Sequence, residues 1–311
     1  MRRPLAAVLL ALSLAAAAAV APAAAPGRSR VALGVLGGAE RFAALTGQRS
    51  TVRHVIMAWS QAGSIPTLLR QLGPVPMLGI NTEGAITPLA IAQGRGDGFL
   101  LALNAALAEH QGPVYVRPLP EMNGYWNSYC AFDRDGSSRG PQYSTAAFRR
   151  AFARIALLAR GGAASFLDAR LRRLGLPTVG RDLPRTQARI VWNPQGYGSP
   201  DLPGNAAQAY YPGDAYVDVV ANDLYDQRFK AEWDANERLY AAHPTKAFAI
   251  AEWGLWGIDD PPFVERMAAF ARSHRRLELL AYFSGRPGSP WDLATKPRSR
   301  AAYRRLIVPL G

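Results

Sequence analysis

Short apolar runs that end in polar or aromatic clusters recur along this chain, and they narrow its possible folds more than any other feature. The clearest is Val114-Tyr-Val-Arg117-Pro-Leu-Pro-Glu121-Met-Asn123-Gly-Tyr-Trp126, in which β-branched and aromatic residues lead to a carboxylate, an amide, a glycine and an aromatic. A run without polar alternation reads as a buried strand, here one that delivers polar chemistry at its C-terminal end. Lys246-Ala-Phe-Ala-Ile-Ala-Glu252-Trp-Gly has the same form. Further strands are predicted at 31–38, 51–59, 75–80, 189–194, 217–225 and 277–284. Helices are predicted between them. One follows Ser64, a possible cap, another covers 99–109, and Thr145 to Arg160 carries Phe148, Phe152, Ile155 and Leu158 along one side. Asp97 fits the cap of the 99–109 helix.

Two carboxylates at strand ends far apart in sequence, each near a tryptophan, are the equipment of a two-carboxylate glycosidase. Sugar rings offer flat C–H faces that stack on aromatics. Structural ion pairing is the commoner use of a strand-end glutamate, so the pairing of two such sites carries the argument.

Those residues resemble the motifs of glycoside hydrolase family 26, a retaining clan-A family of (β/α)8 barrels that includes β-mannanases. The stretch from Arg117 to Trp126 is similar to its acid/base motif, and Ile250-Ala-Glu252-Trp-Gly to its nucleophile motif. The stretch from Tyr211 to Asp226 resembles its sixth strand. The resemblance covers roughly residues 31–290. It implies Glu252 as nucleophile and Glu121 as acid/base in a double displacement. A retaining pair of this kind stands about 5–5.5 Å apart. It further implies Tyr225 as a hydrogen-bond donor to the nucleophile, with Trp126 and Trp192 lining sugar subsites. Ordinary aromatic packing is the other reading of all three. Arg117 would either keep a carboxylate ionised or serve a structural ion pair. Asn123 is a turn residue or a hydroxyl ligand, and Trp59 floors the cleft or caps the barrel core. Asn81 and Glu83 are delivered to a loop, where Glu83 reads as a sugar ligand or a loop hydrogen bond. Two positions depart from the family. Pro120 replaces the usual histidine before the acid/base, and Tyr129-Cys130 stands where further tryptophan is frequent. β-Mannan is the default substrate, with other β-linked glycans, acidic ones included, left open.

Met1-Arg-Arg-Pro, an Ala/Leu run and Ala-Pro-Ala-Ala-Ala25 read as a secretory signal peptide over residues 1–25, with an uncleaved anchor as the alternative. Removing 25 of 311 residues leaves 286 for one (β/α)8-barrel domain over 26–311. The single cysteine, Cys130, excludes an intramolecular disulfide and reads as a packing residue. Four scattered histidines suggest no metal site, and no cofactor motif is present. Net charge is +13, with lysine only at 230, 246 and 296. Arginine is densest over 149–189, ten against Asp168 and Asp182. This is either a solvated face or a surface for an acidic glycan or cell envelope. No nucleic-acid module is recognisable. The expectation is thus a secreted retaining endo-β-glycosidase. The alternative is a non-catalytic glycan-binding or cell-surface protein on the same barrel.

Overall fold

The computed structural model describes residues 31–311; the segment 1–25, read above as a signal peptide, lies outside them. Eight strands close a parallel barrel in sequence order: β1 Ala32–Leu36, β2 Val52–Ala58, β3 Pro76–Asn81, β4 Val114–Pro118, β5 Ala188–Trp192, β6 Val219–Gln227, β7 Ala247–Trp256 and β8 Leu277–Phe283. β1 pairs with β8 to seal it, Leu36 opposite Phe283. The helices are α1 Ala39–Thr46, α2 Ile65–Leu72, α3 Pro88–Ala92, α4 Asp97–Glu109, α5 Thr145–Arg160, α6 Ala164–Arg173, α7 Trp233–Ala242, α8 Pro261–Ser273 and α9 Pro297–Leu306. The expected (β/α)8 barrel is therefore the observed fold. Between β5 and β6 the chain instead forms a long loop with three short 3-10 turns. That loop becomes one wall of the site.

Strand parity assigns residues to two cores. In β4 and β7 the side chains of Tyr115, Ala249 and Ala251 join Val52, Met77, Val191, Val219, Ala221 and Ala281 inside the barrel. Val116, Phe248 and Ile250 point outward to the helices. The interior mixes large and very small residues. A Cβ on Gly34 would lie 3.0 Å from that of Ala281, so a larger residue here would press this alanine back.

Helix starts differ from the sequence reading in two places. Ser64 occupies the cap position of α2 but its side chain makes no capping bond. Asp97 is the first helical residue of α4, and its carboxylate is taken by Arg154 of α5, with Nε at 2.7 Å. Glu83 sits exposed in a turn, its N–H donating to Asn81 Oδ1 at 2.7 Å. Much of the arginine density is also used within the fold. Arg154, Arg160 and Arg189 pair with Asp97, Asp218 and Glu278. Arg173, Arg181 and Arg185 remain exposed. They lie on the stretch that follows α5 and leads into the N-terminal end of β5, the end of the barrel remote from the strand C-termini.

Candidate active site

β4 stops at Pro118, three residues before Glu121, so the glutamate stands on a turn and not on the strand itself. Leu119 and Glu121 both have left-handed backbone, φ +50° and +52°. Such conformations cost of order 1–3 kcal/mol each and persist where their surroundings over-determine them. Here the surroundings do. Leu119 N–H donates to Ile80 O at 2.8 Å and Glu121 N–H to Asn193 O at 2.7 Å. The Pro120 carbonyl accepts from Tyr129 Oη at 2.7 Å, and the Glu121 carbonyl accepts from Asn127 Nδ2 at 2.9 Å. Pro120 and Tyr129, the two departures from the resembled family, are thus in contact and together hold this turn.

The Glu121 carboxylate receives two donors. Trp126 Nε1 donates to one oxygen at 2.7 Å, and Gln195 Nε2 donates to the other. Gln195 lies on the long loop after β5 and is fixed there by Asn123. The Asn123 Oδ1 accepts from Gln195 N–H at 2.8 Å, and its Nδ2 donates to the carbonyls of Gln195 and Tyr197, each at 3.0 Å.

Glu252 sits within β7 at an irregularity. Asn222 pairs with Ile250 but Asp223 pairs with Glu252, so β7 carries one extra residue there. A bulge of this kind re-aims a side chain. Arg117 Nη1 donates to one Glu252 oxygen and Tyr225 Oη to the other, the latter at 2.7 Å. Arg117 is fully buried. Its Nη2 donates to Asp223, and its Nε donates to Asn193 Oδ1 at 2.9 Å. One guanidinium therefore bridges the carboxylates of β6 and β7 from β4.

Burial dominates the electrostatics of this arrangement. Burial, and then the charge of Glu252, push Glu121 above the usual carboxylate range; the Trp126 hydrogen bond and Arg117 act in the opposite direction. Burial holds Asp223 well above that range in spite of Arg117. For Arg117 burial disfavours the charge, but Asp223 and Glu252 overcome it and raise its pKa. Burial and the neighbouring Glu252 also raise Tyr225, which keeps its proton to donate. The site thus places a carboxyl group biased toward protonation beside one held by a guanidinium and a phenol, an arrangement that can serve paired-carboxyl chemistry.

A cavity of about 750 Å³ opens here at the C-terminal ends of the strands, walled by Glu121, Asp223 and Glu252 and by Tyr125, Trp126 and Trp256. Trp126 is 48% exposed. Of the residues singled out in the sequence, Glu121, Trp126, Tyr225 and Glu252 line it, and buried Arg117 touches Glu252 from behind. Three others stand away from it. β2 ends at Ala58, one residue earlier than expected, and Trp59 turns into the core to stack on Phe99 at 4.2 Å. Val191 points into the barrel, so Trp192 points out, packed on Tyr211 at 4.8 Å and His243 at 5.3 Å. Asn123 lies beneath the floor as the loop staple described above. The sequence reading missed Asp223 and Gln195. Asp223 had a signal, since it lies two residues before Tyr225 on one strand and so shares its face. Gln195 had none, because a long loop delivers it. Among the described residues no cluster of three or more His, Cys, Asp or Glu is placed to hold a metal ion.

Neither a scan of protein-family models nor a search of curated proteins returns a match. Solved structures do match. A Bacillus subtilis mannanase is 17% identical with a TM-score of 0.58, over 90% of this chain and 86% of that one. A Cellulomonas fimi endo-β-1,4-mannanase double mutant is 16% identical with a TM-score of 0.60, over 88% and 71%. The family-26 domain of a Prevotella bryantii endo-β-mannanase/endo-β-glucanase is 15% identical with a TM-score of 0.55, over 90% and 89%. At these identities the likeness establishes a shared fold.

Proposed function

We infer that this protein is a retaining endo-β-glycosidase of the family-26 kind, acting on a β-mannan-type polysaccharide. One observation carries the reading: Glu121 and Glu252 wall the same cavity at the strand C-termini, Glu121 with its pKa raised by burial and Glu252 held by Arg117 and Tyr225. Glu252, as a carboxylate, attacks the anomeric carbon while Glu121 gives its proton to the departing glycosidic oxygen. A covalent glycosyl-enzyme forms and the aglycone leaves. Glu121, now a carboxylate, takes a proton from water, whose oxygen displaces Glu252 and restores the starting state. Arg117 and Tyr225 hold Glu252 in place, and Trp126 and Gln195 hold Glu121. Mannan as the substrate draws support from the mannanases that share the fold, and export from the features of residues 1–25.

The test is reducing-sugar release by the protein across neutral and acidic β-glycans, with Glu252→Gln alongside. Release that disappears in the variant, with the β-anomer appearing first by proton NMR, supports retaining hydrolysis. Glycan binding without turnover in the wild-type protein points instead to the non-catalytic alternative.

A further inference from the structure

The aromatic wall of the site continues past Trp291. That residue also lines a second cavity of about 900 Å³ at the C-terminal ends of β8 and β1, together with Gly37, Gly38, Arg41, Ser284 and Arg286. Trp291 packs on Trp256 at 5.0 Å and on Phe283 at 4.8 Å, so the two spaces share a surface on which sugar rings can stack. Their charge differs. The first is lined by four acidic residues, Glu121, Asp223, Glu232 and Glu252, against Arg228 and Lys230. No carboxylate lines the second, whose charged side chains are Arg41 and Arg286.

The groups around the second cavity are donors. Arg286 is exposed, and its guanidinium has no partner among the described residues. Arg41 gives Nη2 to Asp292 at 2.7 Å, which anchors the guanidinium, while its Nη1 has no partner. That carboxylate is already taken by the Gly288 and Ala294 N–H groups. Ser284 is only 3% exposed, lines the cavity, and its hydroxyl has no partner among the described residues. α1 starts directly behind Gly37 and Gly38 without a side-chain cap, leaving first-turn N–H groups for an anion. A Cβ on Gly37 would lie 3.4 Å from that of Ser284, so this helix entrance stands beside the free hydroxyl.

We propose that this cavity is an oxyanion subsite of the same cleft. It takes a carboxylate or sulfate borne by a sugar outside the cleaved linkage, which makes the substrate a β-mannan-type chain that carries acidic groups. As a statement about a substrate this rests on the hydrolase reading; as a statement about a binding site it does not. Arginine suits the task because its planar fork can hold an oxyanion through two parallel hydrogen bonds.

The experiment is calorimetric binding to the Glu252→Gln protein of three probes: a β-1,4-manno-oligosaccharide, its C6-oxidised uronate form, and its O-sulfated form. The expected result is at least tenfold tighter binding of one anionic probe, which also identifies the source of the charge. Arg286→Glu is expected to abolish that preference and Arg286→Lys to keep part of it. Arg286 is exposed, so these variants fold, and circular dichroism checks that they do. Equal affinity for all three probes overturns the proposal, as does a preference that survives Arg286→Glu. Turnover of neutral mannan with no anionic preference leaves the hydrolase reading standing and removes the subsite. An Arg286-dependent anionic preference without turnover on any glycan does the reverse.

Discussion

Replacing Arg117 by methionine tests the electrostatic core of the site. The guanidinium is fully buried and is the hydrogen-bonding cation shared by Asp223 and Glu252. Methionine keeps much of the volume but leaves both carboxylates without their cation. Removing one partner of a buried ion pair costs about 3–5 kcal/mol. For a chain of this size that lowers Tm by about 5–9 °C. Protonation relieves part of the penalty, so the loss depends on pH, and its sign follows from Asp223. Burial already holds this group well above the usual carboxylate range while Arg117 pulls it down. Without Arg117 it rises further. The folded variant then keeps a proton that the unfolded chain has released, so its stability falls as pH rises. The deficit relative to wild type is therefore larger at pH 8 than at pH 5, measured by differential scanning calorimetry at both. Arg117→Lys is expected to fall between the two, because a single ammonium cannot span two carboxylates and Asn193 together. A methionine variant within about 2 °C of wild type at both pH values, or one hurt more at pH 5, would refute the reasoning.

Two further substitutions separate the roles of tryptophans that look alike in the sequence. Trp126→Phe removes a hydrogen bond that favours the charged form of Glu121. The Glu121 pKa rises further, and the alkaline limb of the kcat/KM profile moves to higher pH; an unmoved limb would separate Trp126 from the acid/base. Trp59→Ala opens a cavity beside Phe99 and costs about 3–5 kcal/mol by chemical denaturation. Its KM should stay near wild type, and a large KM increase with intact stability would return Trp59 to the cleft.

The fold was legible because it rests on patterns that sequence carries directly: apolar runs of strand length, helical periodicity, and a chain long enough for one barrel. Within the site, legibility followed the distance between a residue and its strand. Tyr225 follows from alternation along β6, whereas Glu252, next after inward-facing Ala251, reaches the cavity only through the irregularity in β7. Arg117 was expected to face the interior by alternation along a strand reaching Glu121, and it does face inward. Yet the alternation breaks at Leu119, where the backbone turns left-handed, and Glu121 reaches the cavity by that turn. The error at Trp192 is one of parity. Resemblance placed it in the cleft, whereas alternation from Val191 alone turns it outward, and the physical rule was the better guide. Gln195 and Asn123 mark the boundary of what one sequence can reveal. Their roles arise from hydrogen bonds between positions 72 residues apart. Nothing in the composition of either segment specifies that pairing. The pairing nevertheless matters for chemistry, because the oxygen of Glu121 that Trp126 does not hold is held by Gln195. Orientation of the acid/base thus depends on a loop staple that resembles, in sequence, an ordinary turn asparagine.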